Sequence, residues 1–175
     1  MARAALQSGR IGKAPPAYAR FVPAISVVMA SLLSALPIVS VSGWYPDLGF
    51  LALISWRLLR ADPFPAWWAA PLGLVNDLFT GNPIGFSIAL WSATMLALDL
   101  IDRRTMWRDY WIEWVLAALL ITLDEWLQWQ VAALSGAEVP FAHMLPPIAI
   151  SILVFPLSAW IIFRIDGWRL GRAGR

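Results

Sequence analysis

The chain has 175 residues, of which 60% are hydrophobic and only 14% are charged, whereas soluble domains average about 25% charged residues. It contains no cysteine and one histidine, which excludes disulfide bonds, thiolate metal sites and histidine-rich metal sites. The net charge of +2 does not require a nucleic-acid partner, because basic residues retained on the cytoplasmic side of a membrane explain it. This composition predicts an integral membrane protein in the lipid bilayer, without a cofactor, a metal or bound nucleic acid.

Residues 1–20 contain four basic side chains among Ala, Ser, Gly and Pro, and are predicted to be a basic cytoplasmic tail. The apolar run that follows is longer than the hydrophobic region of a signal peptide, so we interpret it as a retained membrane span. Pro23 falls in its first turn, and Pro37 is expected to kink it. A six-helix transmembrane domain is predicted over 21–165, with a second basic cytoplasmic tail at 166–175. The predicted helices cover 21–42, 47–59, 64–80, 83–101, 110–134 and 143–163.

The distribution of Lys and Arg predicts the orientation of these spans. All 13 lie in the N-terminal tail, in segments 57–63 and 102–109, or from 164 onward. The alternate connections at 43–46, 81–82 and 135–142 have none. Cytoplasmic loops of membrane proteins retain the basic residues. The expected fold is therefore an all-α polytopic membrane protein with six transmembrane helices and both termini cytoplasmic.

The third predicted helix has a face of small residues that ends in an acid. Ala66, Ala70, Gly73 and Asp77 recur at helical spacing and share one face. Asp77 lies in the last turn, where the helix dipole disfavours a carboxylate. A buried acid at this position needs a specific partner.

The Gly81-Asn82-Pro83 turn leads to the fourth predicted helix, with Asn82 at its N-cap and Pro83 in the first helical position. The unpaired N–H groups of this helix would lie at Ile84, Gly85 and Phe86. We expect Asp77 to accept hydrogen bonds from them, with Gly85 allowing close approach. The alternative is that Asp77 contacts a ligand or a partner.

Four further polar residues are expected in the outer half of the membrane: Asp47, Asp124, Glu125 and Gln128. No Lys or Arg occurs at that depth, and an acid in mid-membrane costs roughly 2.5–3.5 kcal/mol on insertion scales. These residues are therefore candidate contacts with a partner helix or a wet cavity. A catalytic use of the acids would require an acid–base geometry that the pattern does not indicate, so no catalytic residue is assigned.

One enzymatic alternative rests on Ser87 and His143. The segment Gly85-Phe86-Ser87-Ile88 resembles the Gly-x-Ser-Gly motif of intramembrane serine proteases of the rhomboid type, and His143 opens the sixth predicted helix. The second motif glycine is replaced by Ile88. A lone histidine near a membrane surface is more often interfacial, so the chain is not expected to be an enzyme.

The segment from Pro46 to Phe86 resembles the family of the rod shape-determining protein MreD. The matching residues are Pro46-Asp47-Leu48, Trp56-Arg57, Pro63, Gly73-Leu74, Asp77, Gly81 and Gly85. The length and number of spans also match, whereas the second half of the chain is similar only in hydropathy.

This resemblance implies a non-enzymatic scaffold in the inner-membrane complex that elongates peptidoglycan and sets cell shape. The implied partners are the membrane-anchored protein MreC, the actin-like MreB filament and the wall synthases. The family also resembles the substrate-binding components of energy-coupling-factor vitamin transporters. A small-molecule-binding transporter subunit is therefore the alternative.

Overall fold

The computed structural model describes residues 17–35, 46–60, 65–104, 110–136 and 140–173. Within these ranges the chain forms helices and no β-strand, so the predicted all-α class is confirmed there. The six α-helices are α1 (Val22–Ser34), α2 (Leu48–Leu59), α3 (Ala69–Thr80), α4 (Phe86–Arg104), α5 (Tyr110–Leu134) and α6 (Leu145–Ala173). Short 3-10 helices cover Ala17–Arg20, Ala66–Trp68 and Phe141–Met144.

Helix α2 lies at the centre of the packed helices. Every residue from Gly49 to Leu58 is buried. The helix packs against α1 and α6, and also contacts α4 and α5. Its sequence is apolar around almost the whole circumference, a pattern typical of an enclosed helix. Helices α3 and α4 form a tightly packed hairpin beside it, α1 also packs on α3, and α5 packs mainly on α6.

The outward faces of the helices carry large apolar side chains. Leu78 on α3 is 64% exposed, and Leu153 on α6 is 74% exposed. Similar residues occur on the other helices, including Ile25, Leu59, Leu96 and Leu119. Soluble monomers rarely expose contiguous apolar surface on this scale, whereas a lipid-facing or partner-facing surface requires it.

The lengths of the helices bear on how many can cross a membrane. In the described part of the chain, the stretch Phe141–Arg169 is long and apolar enough by length and composition. Only 17% of its most apolar window is buried, so it is not an enclosed core helix. Helices α1 and α2 are apolar but have 13 and 12 residues, fewer than the roughly 20 that span a hydrocarbon core.

Several predicted helix bounds agree closely with the structure. Helix α5 has the predicted bounds, and α2 begins one residue after the predicted start. The third predicted helix is a 3-10 turn followed by α3, which ends at Thr80 as predicted. Helix α1 begins with Pro23 in its first turn. The second half of the first predicted helix, with Pro37, lies outside the described residues.

The bounds predicted for the fourth and sixth helices are wrong. Helix α4 begins at Phe86 instead of Pro83 and continues to Arg104, three residues past the predicted end. Helix α6 follows a 3-10 turn and extends to Ala173, beyond the predicted end at 163. Its last turns remain helical because Asp166 and Arg169 are buried in ion pairs, which a solvated tail would not form.

Candidate functional site

The carboxylate of Asp77 joins the two helices of the hairpin. Its Oδ2 accepts a hydrogen bond from the Gly85 N–H at 2.8 Å, and its Oδ1 accepts one from the Ser87 N–H at 2.9 Å. The side chain is 1% exposed. The last turn of α3 thus supplies an acceptor for two amides at the start of α4, which no carbonyl of α4 itself can satisfy.

The donors differ from the predicted set at the N-terminus of α4. The Phe86 N–H bonds to the carbonyl of Pro83 at 3.0 Å, so residues 83–86 form a turn before the helix begins. Gly85 has a φ of +104°, a left-handed conformation that a residue with a Cβ rarely adopts. Gly81 ends α3 with a φ of +75°. Asn82 and Pro83 therefore belong to the turn instead of the helix start.

Gly73 permits the close approach of α3 and α4. A Cβ at this position would lie 2.6 Å from the backbone carbonyl carbon and oxygen of Ser87, and 2.7 Å from the Ile88 nitrogen. These are backbone atoms, which cannot move aside as a flexible side chain can. Of the predicted face of small residues, Gly73 packs directly on α4, and this contact places Asp77 one turn later within reach of its donors. Ala66 lies in the preceding 3-10 turn, so it does not share one continuous helix with the others.

Asp47 joins α2 to this hairpin. It is the N-cap residue of α2, where its Oδ1 accepts a hydrogen bond from the Phe50 N–H at 2.9 Å. Its Oδ2 accepts one from Asn76 Nδ2 at 2.9 Å, and the same Nδ2 lies 3.2 Å from Ser87 Oγ. Asp47, Asn76, Asp77 and Ser87 thus form one polar network that connects α2, α3 and α4.

Two buried oxygens next to this network have no hydrogen-bond partner. They are Ser31 Oγ on α1 and Asn76 Oδ1 on α3. Both are close to Gly49, where a Cβ would lie 2.2 Å from Ser31 Oγ, 2.8 Å from Asn76 Oδ1 and 3.2 Å from Asp47 Oδ1. These oxygens therefore pack closely against the Gly49 backbone, and a side chain at this position would collide with them.

The polar residues of α5 are only partly joined to the network. Asp124 is 2% exposed, and its Oδ2 accepts a hydrogen bond from Gln128 Nε2 at 2.9 Å. Asp47 is close enough to Asp124 and Glu125 for their negative charges to repel. Gln128 also lines a cavity of about 200 Å³ with the turn at residues 81–83. The structure therefore places the predicted outer acids near one another, on either side of the contact between α2 and α5.

A cluster of ion pairs was missed by the sequence analysis, which counted Arg57 only among the basic residues of the cytoplasmic side. Arg57 is 2% exposed and pairs with Asp99 and, through Nη1 at 2.7 Å, with Asp102. These acids are three residues apart in the last turns of α4, so they share a face. The spacing of these two acids, together with an arginine in the last turn of α2, was the sequence signal that could have predicted the ion pairs.

A second group of charges continues this cluster on α6. Asp166 pairs with Arg60 at 2.9 Å and with Arg169 on its own helix. Arg169 also lies over the Trp56 ring, 5.5 Å from its centroid, and Nη1 donates to the Ala19 carbonyl. The two groups join α2, α4, α6 and the N-terminal turn at one end of the molecule.

Ser87 and His143 have different environments. Ser87 is 1% exposed, and its Oγ faces Asn76. His143 is exposed in the 3-10 turn before α6. Among the described residues no hydrogen bond connects the two, so the geometry of a serine–histidine dyad is not formed.

Among the residues that the structure describes, no group of three or more His, Cys, Asp or Glu side chains could hold a metal ion. Comparisons with protein-family models, curated proteins and solved structures found no match to this chain.

Proposed function

We propose that this chain is a multi-pass inner-membrane protein that acts as a non-enzymatic scaffold in a rod-shape, peptidoglycan-elongating complex of the MreD type. The observation that carries the proposal is the polar network that connects α2, α3 and α4. Asp47, Gly73, Asp77 and Gly85, which carry the sequence resemblance, all lie in or beside it. Residues that are far apart in the motif thus contribute to one contact region between α2, α3 and α4.

The exterior of the helices supports a location in the bilayer. Large apolar side chains are exposed on all six helices, while the described ionic side chains of Arg57, Arg60, Asp166 and Arg169 cluster at one end. In the proposed topology that end faces the cytoplasm, where basic residues are retained. Six spans place both termini on the same side.

The partners in this proposal are an MreC-type membrane-anchored protein, an MreB-type filament and the wall synthases. Few residues separate one α-helix from the next along the sequence, so contacts with other membrane proteins would be made mainly by the helix faces. Apolar faces such as those with Leu119 and Leu153 suit packing against transmembrane helices. The cytoplasmic end would face the filament.

The topology is tested by cysteine scanning, because the chain has no native cysteine. A cysteine introduced at position 138 should react with a membrane-impermeant reagent added from outside the inner membrane. A cysteine at position 8 should react only after the membrane is opened. Labelling of position 138 from the cytoplasmic side alone would contradict six spans with cytoplasmic termini.

The cellular role is tested by depleting the protein in its host. Rod-shaped cells should become round, and the wild-type gene should restore the rod. Asp77→Ala should fail to restore it, whereas Leu78→Ala, a change at an exposed neighbour, should succeed. Normal cell shape combined with a defect in uptake of a vitamin or metabolite would refute the scaffold and favour the transporter alternative.

A further inference from the structure

A groove of about 420 Å³ lies between helices α2, α5 and α6. This volume is in the range of sites that enclose small molecules. Most of the lining residues are apolar, among them Leu58 and Leu59 of α2, Trp114 of α5, and Phe155 and Phe163 of α6. Ala159 also lines the groove with only a methyl group, so a larger side chain there would fill part of the space.

The groove is open toward the outside of the packed helices. Leu58 and Phe155 are buried, whereas Trp160 and Phe163 are exposed. The buried residues form the floor of the groove, and the exposed aromatic residues form its rim. In the proposed bilayer location the opening faces the lipid, so a hydrocarbon chain can enter sideways from the membrane.

A positive charge lies at the end of the groove that faces the cytoplasm in the proposed topology. The Arg164 guanidinium lies over the ring of Trp160, 5.5 Å from its centroid, and Arg164 is exposed. Among the described residues no carboxylate forms an ion pair with Arg164, and Asp166 pairs with two other arginines. Glu113, which also lines the groove, already has an interaction partner within the protein. The groove therefore joins an apolar surface to an exposed cation.

The height of Arg164 on α6 matches the headgroup region of a bilayer. The helix from Leu145 to Arg164 is about 29 Å long at 1.5 Å per residue, close to the roughly 30 Å of a hydrocarbon core. With Leu145 at the outer boundary of the core, Arg164 lies at the level of the inner phosphates. Phe155 and Ala159 then lie at the level of the acyl chains.

We propose that this groove binds an anionic phospholipid, with an acyl chain between α2, α5 and α6 and the phosphate on Arg164. Arginine donates two parallel hydrogen bonds to a phosphate, and basic pockets between transmembrane helices on the cytoplasmic side bind anionic lipid headgroups. The helix of a partner protein could fill the apolar part of the groove but would bring no phosphate to Arg164. The inference rests on the membrane location proposed above and not on the role in cell shape.

The test measures lipid binding to the purified whole chain in a neutral detergent by native mass spectrometry. Phosphatidylglycerol and phosphatidylcholine with identical acyl chains are compared, because both carry a phosphate but only the first has a net negative charge. One basic contact at the headgroup corresponds to about fivefold in affinity, so phosphatidylglycerol should bind about fivefold more tightly. Equal affinities for the two lipids would overturn the proposal and favour a partner helix as the occupant of the groove.

Two pairs of variants locate the binding. Arg164→Gln should abolish the preference for phosphatidylglycerol, whereas Arg20→Gln should retain it, since Arg20 is exposed in the N-terminal 3-10 turn and does not line the groove. Ala159→Phe should weaken the binding of both lipids by filling the groove, whereas Ala93→Phe on the exposed side of α4 should not. Equal losses in a variant and its control would refute the assignment of this groove.

A second measurement needs only the wild-type chain, inserted into lipid nanodiscs that contain phosphatidylglycerol with a photoactivatable group on its acyl chain. The labelled peptides should include the parts of α5 and α6 that line the groove, at 113–114 and 155–163. Insertion with labelling confined to other helices would refute the lipid site alone. Failure of the chain to insert would refute the membrane location together with the site.

Discussion

Replacing Asp77 by alanine should loosen the α3–α4 hairpin. The substitution removes the acceptor of two buried amides, those of Gly85 and Ser87. Each buried donor left without a partner costs about 1–3 kcal/mol, so the expected loss is about 2–6 kcal/mol. Folded domains are stable by only about 5–15 kcal/mol, and the change is therefore a large fraction of the total.

Asp77→Asn should have an intermediate effect. An asparagine has one carbonyl oxygen, which can accept from one of the two amides, while its NH₂ group would face the other donor. About half of the destabilisation should remain. Leu78→Ala is the matched control, because the neighbouring side chain is 64% exposed and makes no part of the cap.

The measurement is unfolding in mild detergent for the three variants and the wild type, together with co-purification of partners. From most to least stable, we expect the order wild type, Leu78→Ala, Asp77→Asn, Asp77→Ala. If Asp77→Ala and Asp77→Asn were both as stable as wild type but failed to co-purify a partner, the capping role would be refuted. Asp77 would then be a contact residue.

Three further substitutions test other parts of the structure. Gly73→Ala should destabilise the folded protein by about 1–3 kcal/mol in the same unfolding assay, because the added Cβ meets the α4 backbone. Gly167→Ala is the control and should have no such effect, since no atom lies within 4 Å of its added Cβ. Equal stability of the two variants would refute the close contact at Gly73. Arg57→Ala should cost about 1.5–3 kcal/mol, the usual contribution of hydrogen bonds to charged groups, because Asp99 and Asp102 are partly exposed to solvent. The exposed Arg164→Ala should cost much less, and a similar small loss in both variants would show that the ion pairs of Arg57 contribute little. Ser87→Ala should leave cell shape intact, and serine-directed probes should not label the wild-type protein. If the wild type were labelled and the labelling were lost in both Ser87→Ala and His143→Ala, a catalytic serine–histidine dyad would be established.

Much of the helical framework could be predicted because it depends on residues close in the chain. The bounds of α5 and the start of α1 follow from apolar runs between polar or proline-rich segments. The end of α3 follows from Gly81, whose positive φ no other residue type adopts as readily. The need of Asp77 for neighbouring amides was also predictable, since the acid and its donors are only eight and ten residues apart.

Predictions that depended on the detailed path of the chain were less accurate. A Pro at the start of an apolar run usually marks the first helical position, but here Pro83 precedes the helix. The turn at Gly85 directs the Ser87 N–H toward the Asp77 carboxylate. This hydrogen bond between neighbouring helices outweighs the preference of Pro83 for the first helical position. Helix α6 similarly continues past its apolar run because Asp166 and Arg169 find partners on other segments.

The sequence alone determined that this chain is helical, strongly apolar and organised around a hairpin with a buried acid. Only the tertiary structure decided which polar groups meet: Asp47 with Asn76, Arg57 with Asp99 and Asp102, and Ser31 beside Gly49. The physical reason is that helices which are apolar on most sides have no strong pattern to set their rotation or relative height. Their register is determined by close backbone contacts and buried polar pairs between segments, which become defined only when the helices pack together.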